Sequence, residues 1–441
     1  MRTRGMIKTV AAISAVTALA ACGASSGAAP FPPATTGPAV DPSASPSATA
    51  SATSVNTAGR VGPPDLGPVA EGQRPPQVVV VAFDGAGVAV NNKYPMFQFW
   101  RDVSRQHNAR FTFFLSGPYL LPESDIGKYN APQIGPAHSG LGMEVDGVLP
   151  LPGQTPQDAI RFELEELRDA HAEGNEIGTH FNGHICGGGR GSVGSFTADD
   201  WNSEIEQFNW MLDHANENNN ISPPVNLGFT SKDVVGSRTP CLEGNFKALY
   251  PVLAQHGYRY DTSPTPDTTW PRRGAPETGP SNLWVFPLAW VPFYGGGGHH
   301  VLSMDYNICF LHDGCHTSQS YPSSVTDRWR QQALDTYRKY FETSYTGDRS
   351  PIYLGNHFEM WHDGAYTDAL AEFVTETCTK PEVRCVSYRD LADWLDTVPD
   401  AQRTAWRAGS FPHYVDPNPP RYGEPVPNAP QPQAAPPIPT P

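Results

Sequence analysis

Polar side chains with hydrolytic chemistry recur where apolar runs end. Asp84 closes the run Val78-Val79-Val80-Val81-Ala82-Phe83 and is followed by Gly85. His180 and His184 bracket Phe181-Asn182-Gly183, and Arg238 heads Arg238-Thr239-Pro240. Asp261 heads Asp261-Thr262-Ser263, and His357 sits in Asn356-His357-Phe358-Glu359. Two imidazoles and a carboxylate on one rim would suit a zinc-like divalent cation, with room left for water. Such a cation lowers the pKa of bound water to about 7 and polarises a carbonyl. A carboxylate can then take the water proton and an imidazole can return one to the leaving group.

Other candidates are weaker. Gly295 to Gly298 before His299-His300 lacks the Lys and Ser/Thr of a phosphate loop. His357, Glu359 and His362 read as scattered polar residues rather than a second metal cluster. His312, Asp313 and His316, near Cys309 and Cys315, read as part of a surface insertion. Trp284, Trp290 and Trp361 either floor a sugar cleft or pack in the core.

These residues need a scaffold that gathers strand ends. The run from Val78 to Phe83 is apolar and β-branched throughout, as in a strand buried on both faces. Further strands are expected at 111–115, 176–178, 234–238, 258–261, 283–293, 301–307, 351–357 and 383–388. Helices are expected at 97–106, 155–172, 197–216, 245–256, 325–341, 369–378 and 389–395. This alternation predicts an α/β fold, a distorted (β/α) barrel, with an open doubly wound sheet as the other topology. In either, function collects where strands end and helices begin.

The 441 residues are 39% hydrophobic and 17% charged, with 46 prolines. Lys+Arg 30 against Asp+Glu 45 gives −15. Removing residues 1–21, which carry Arg2, Arg4 and Lys8 and no acid, gives −18. No basic cluster is present to release counterions from phosphates, so nucleic acid is excluded as a partner. Residues 1–21 read as an export signal, with an apolar run shorter than the ~20 residues of a membrane span. Leu19-Ala20-Ala21-Cys22 resembles a bacterial lipobox, so Cys22 is the expected lipidation site and the chain an exported, lipid-anchored protein on the extracytoplasmic side of the cell membrane. Residues 22–76, rich in Ala, Ser and Pro, read as a disordered tether. Residues 77–398 form the expected folded domain and 399–441 a Pro-rich tail, with 12 prolines from Pro412 onward. Six cysteines remain after Cys22, an even set that suits disulfides in an oxidising compartment. Spacing suggests Cys309–Cys315 and Cys378–Cys385, leaving Cys186 with Cys241.

In this order the motifs resemble the NodB-type polysaccharide deacetylases, carbohydrate esterase family four. Ala82-Phe83-Asp84-Gly85 stands where the family has T-F-D-D-G, and Arg110 to Leu115 where it has an A-T-F-F-L-like strand. Gly174 to His180 with His184 is similar to the family's histidine motif, and Arg238-Thr239-Pro240 to its R-x-P. Gly257 to Ser263 resembles G-Y-x-Y-D-S-S, and Leu354 to His357 the closing L-x-H. The resemblance covers about 78–395. It implies metal-dependent removal of acetyl from an N-acetylated envelope or environmental polysaccharide, peptidoglycan-like glycans included; a monomer is expected. It implies zinc held by His180, His184 and an aspartate, Arg238 orienting the catalytic carboxylate, and His357 as general acid. The family's adjacent aspartate pair is reduced here to Asp84. Aligned on Gly85, Asp84 is the ligand; aligned on Phe83, it is the base. The ligand alignment is preferred, since two histidines alone would grip a dication weakly, and Asp261 would then serve as base. A carbohydrate-binding pseudoenzyme and an O-acetyl esterase are the alternatives.

Overall fold

The computed structural model describes residues 66–87, 96–141, 154–275, 279–316 and 319–415. The expected signal peptide, Cys22 and most of the tether lie outside them. Ten strands frame the site: β1 (Gln77–Asp84), β2 (Thr112–Leu115), β3 (Glu176–Thr179), β4 (Gly236–Ser237), β5 (Tyr260–Asp261), β6 (Gly279–Val285), β7 (Trp290–Pro292), β8 (His300–Leu302), β9 (Ile352–His357) and β10 (Val383–Cys385). The helices of eight residues or more are α1 (Met96–Gln106), α2 (Pro156–Ala172), α3 (Ala198–Asp213), α4 (Phe246–Gln255), α5 (Asp305–Asp313), α6 (Ser323–Thr346), α7 (Trp361–Thr377), α8 (Tyr388–Thr397) and α9 (Asp400–Arg407).

Strands β9-β1-β2-β3-β4-β5-β6 are neighbours in that order and all parallel. Arg272–Ala275 adds an antiparallel edge to β6, and β10 pairs with the start of β1. The curled sheet closes at one rim. There Leu288 N and Trp290 N donate to Pro264 O and Pro266 O, Ser303 N to Ala289 O, and Gly355 N to Ser303 O. The result is a distorted (β/α) barrel, as the alternation of elements predicts.

All eight residues of β1 are buried, and strand alternation divides them between two cores. Val79, Val81 and Phe83 pack outward with Phe97 and Trp100 of α1. Val78, Val80 and Ala82 face the barrel interior with Phe114, Tyr260, Phe286, Tyr353 and Tyr388. The interior is narrow, so bulky rings need small neighbours. A Cβ on Gly178 would meet the Phe114 ring at 2.6 Å, and one on Gly236 the Tyr260 ring at 1.8 Å. Thr155, Thr197 and Ser387 each cap a helix in a reciprocal box with an aspartate three residues on.

The three disulfides are Cys186–Cys241, Cys309–Cys315 and Cys378–Cys385, the pairing that spacing suggested. Four local expectations are corrected. The segment 301–307 is strand only to Leu302 and then becomes α5. His312 and Asp313 lie on that helix, which packs on α6, α7 and β9 rather than forming a separate surface insertion. The ordered part begins before 77, with Gly67 O accepting from Trp394 Nε1 and Val69 O from Gln402 Nε2. It also runs past 398, because Trp406 of α9 stacks between Trp270 and Trp394, centroids 5.4 and 5.3 Å away.

Candidate active site

Strand parity aims the site residues. Asp84 continues the inward series Val78, Val80, Ala82, and His180 the inward series Glu176, Gly178. His357 follows Tyr353 and Gly355 on the inner face of β9, and Asp84 and His357 are register partners on adjacent strands. Arg238, just past β4, is fully buried. Its Nη1 donates to Asp84 Oδ1 at 2.7 Å, and its Nη2 to Tyr388 Oη at 3.0 Å and Thr262 Oγ1 at 3.3 Å. Its guanidinium also lies over the Phe114 ring, 4.8 Å from the centroid. Burial alone would raise the Asp84 pKa. The charge and hydrogen bond of Arg238, with the neighbouring His180 and His357 imidazoles, outweigh it and hold the carboxyl below its ordinary value.

His357 is clamped from the other side. Asp305, the first residue of α5 and buried, accepts from His357 N at 2.8 Å and lies 2.7 Å from His357 Nδ1. Burial works against the imidazolium, but the Asp305 charge and hydrogen bond, helped by Asp84, raise the pKa to about 9. Two neighbouring strands thus carry a carboxylate held ionised and an imidazole held protonated. Environments that drive two titrating groups apart in this way divide the roles of base and acid. Sequence reasoning missed Asp305 because 301–307 read as one strand. A carboxylate just past a strand end was the signal available.

His180 and His184 are neutral. Burial lowers the pKa of His180 to about 3, and burial followed by the charge of His357 lowers that of His184. His180 Nδ1 lies 2.9 Å from Arg238 O, leaving Nε2 for another partner. The loop between them is held from α3. Glu204 accepts from Asn182 N and Nδ2 at 3.2 and 3.1 Å and from Tyr129 Oη at 2.6 Å. Burial raises the Glu204 pKa to about 7.

A cation shared by Asp84, His180 and His184 at bond lengths near 2 Å needs every pair of donor atoms within about 4 Å. The two imidazoles are neutral, with ring centroids 5.2 Å apart. The set of three does not close. Among the described residues, the His/Cys/Asp/Glu groups whose donor atoms lie within 4.8 Å of one another are His184, Cys186, Cys241 and Cys309, Asp313, His362. Both contain disulfide sulfur. Asp84 gives its Oδ1 to Arg238, the arrangement expected of an oriented base rather than a ligand. The donors of this chain therefore do not fit the three-ligand metal site that the resemblance implies.

Asp261 is not at the mouth. It follows inward-facing Tyr260 and so points outward, where Ser237 Oγ, Ser263 Oγ, Ser263 N and Tyr250 Oη all donate to it. It braces the β4–β5 corner and cannot serve as the second carboxylate. Of the three tryptophans, Trp284 is buried in the core, Trp290 is exposed, and Trp361 lies 5.4 Å from the His357 ring.

No family model matches the chain, and no curated protein matches it. Among solved structures it is similar to a Mycobacterium smegmatis protein named as a candidate polysaccharide deacetylase, at 16% identity over 80% of this chain and 99% of that one, TM-score 0.43. It is similar to a CE4 family pseudoenzyme from Bacillus anthracis, at 11% identity over 75% and 70% of the two chains, TM-score 0.34. A family 4 carbohydrate esterase from Streptomyces lividans matches at 13% identity over 70% and 91%, TM-score 0.31. With every score below 0.5, the barrel assignment rests on strand order and hydrogen bonding within this chain.

Proposed function

We propose that this chain is a hydrolase that removes acetyl groups from an N-acetylated polysaccharide outside the cytoplasm. The observation that carries the reading is the pairing of ionised Asp84 with protonated His357 on adjacent strand ends, each fixed by its own counter-charge. Asp84, oriented by Arg238, takes a proton from water as the water oxygen bonds to the acetyl carbon. His357 gives its Nε2 proton to the sugar nitrogen as the C–N bond breaks, so acetate and a free amine leave. Asp305 aims the imidazole and keeps it protonated until that transfer. His180 and His184 remain as a pair of neutral nitrogen donors, one ligand short of the zinc site that the resemblance implies. The lipobox at Cys22 supports anchoring to the outer face of the cell membrane. Among the described residues no helix is long and apolar enough to cross one.

A second reading has its own support. Gly85 replaces the family's second aspartate, and the Asp84, His180, His184 set does not gather, as in a glycan-binding protein without turnover. Purified protein incubated with N-acetylglucosamine oligomers separates the readings. Acetate matched by new primary amine supports deacetylation, acetate without amine an O-acetyl esterase, and binding without acetate the pseudoenzyme.

A further inference from the structure

Helix α5 carries Asp305 at its first position and presents two aromatic rings to solvent, one at the next position and one a turn beyond it. Tyr306 is 44% and Phe310 57% exposed, while Ile308 and Cys309 on the opposite face are fully buried. Positions i and i+4 share a helix face, and the two centroids are 6.2 Å apart. Tyr306 lies 5.7 Å from Trp361 and 6.3 Å from His357. A continuous row of rings thus leads from the imidazole outward along α5. The helix is tied down at its far end by Cys309–Cys315 and at its start by the Asp305–His357 clamp.

We infer that Tyr306 and Phe310 form a platform on which sugar rings of a glycan chain stack beyond the residue being deacetylated, so that the substrate is a polymer. This rests on the hydrolase reading above. The size of the platform favours a glycan over a protein. An aromatic side chain buries 150–250 Å² when covered, so two rings about half exposed offer roughly 200 Å². A stable protein interface needs about 800 Å² per partner. Its charge disfavours a lipid surface, because α5 has no Lys or Arg to meet anionic headgroups. Flat apolar faces beside phenolic and imidazole hydrogen-bonding groups match the C–H faces and hydroxyl rims of pyranoses.

The test is calorimetric titration of the mature chain with N-acetylglucosamine oligomers, from the monosaccharide to the hexasaccharide. Wild-type affinity is expected to rise with length. Phe310→Ala should lose about tenfold on the hexasaccharide, the upper end of one aromatic contact, and far less on the monosaccharide. Tyr306→Ala should behave alike and Phe310→Trp should restore binding. The platform is overturned if both alanine variants bind every oligomer as the wild type does, or lose affinity equally at all lengths. It is overturned too if Phe310→Ala instead dissolves a dimer in sedimentation or abolishes binding to anionic vesicles. Failure of the wild type to bind any N-acetylated oligomer would overturn the deacetylase reading along with it. Binding that does not grow with length would overturn the platform alone.

Discussion

Replacing Asp305 by asparagine removes the charge that keeps His357 protonated while preserving shape and a hydrogen-bond acceptor. The His357 pKa of about 9 depends first on overcoming burial, and Asp305 supplies both the largest opposing charge and a hydrogen bond. Without that charge, burial returns the imidazole to its ordinary 6.5 or below. A drop of about 2.5 units corresponds to roughly 3 kcal/mol. This is an upper figure, since the His357 side chain is 27% exposed and solvent screens the pair. At pH 8 the acid would then be protonated in roughly 3% of molecules instead of about 90%, a loss near thirtyfold, while at pH 5.5 the variant would approach the wild type. The assay is the pH dependence of kcat/KM for acetate release. The alkaline limb should move from about 9 to near 6.5, with the acid limb unchanged because Asp84 is held below its ordinary range. The same shift bears on stability. A raised imidazole pKa stabilises the fold fully below 6.5, and that contribution fades as pH rises through about 9. Superposed wild-type and variant profiles, or an equal loss at every pH, would refute the reasoning.

Glu204→Gln leaves one carbonyl oxygen to serve donors from Tyr129 and Asn182, so the 181–184 loop should loosen by about 1–3 kcal/mol. That should lower kcat more than it raises KM, and kinetics with hydrogen exchange at Asn182 checks it. Because Glu204 titrates at about 7, above its usual value through burial, wild-type stability should decline between about pH 4.5 and 7 by a component the variant lacks. Gly85→Ala should cost about 1–2 kcal/mol in thermal denaturation, since Gly85 has φ +58° and a Cβ there would meet Tyr119 Oη at 3.1 Å. Replacing Cys186 and Cys241 together by serine opens a 55-residue loop, worth roughly 4 kcal/mol by chain entropy. It also frees the segment after His184, so melting temperature and activity should fall together, and reduced wild type, which loses all three disulfides, should fall at least as far.

The barrel was legible because its first strand is apolar at every position from Val78 to Phe83, which only burial on both faces explains. Asp84, His180, Arg238 and His357 were legible because each ends a strand with inward parity. Asp261 was misplaced by the same motif that drew attention to it, since the residue after an inward tyrosine must point outward. The Asp305 clamp depended on a strand-to-helix switch at Met304 that β-branched Val301 obscured. The kink opening α7 was illegible too. His362 and Asp363 adopt left-handed backbone at φ 53° and 60°, a conformation that tertiary packing rather than residue type imposes. The helix at 400–407 escaped notice because its anchor is one tryptophan, in a stretch too short for periodicity to register.

The most direct test of the acid–base couple is Asp84→Asn, followed by acetate and free amine released from a defined N-acetylglucosamine oligomer. The account predicts equal yields of both products from the wild type. The variant should lose activity by about a hundredfold or more at every pH, as removal of a general base does, while still binding the oligomer. Turnover by the variant within a few-fold of wild type would show that the carboxylate held by Arg238 is not the base, and the proposed chemistry would have to be abandoned.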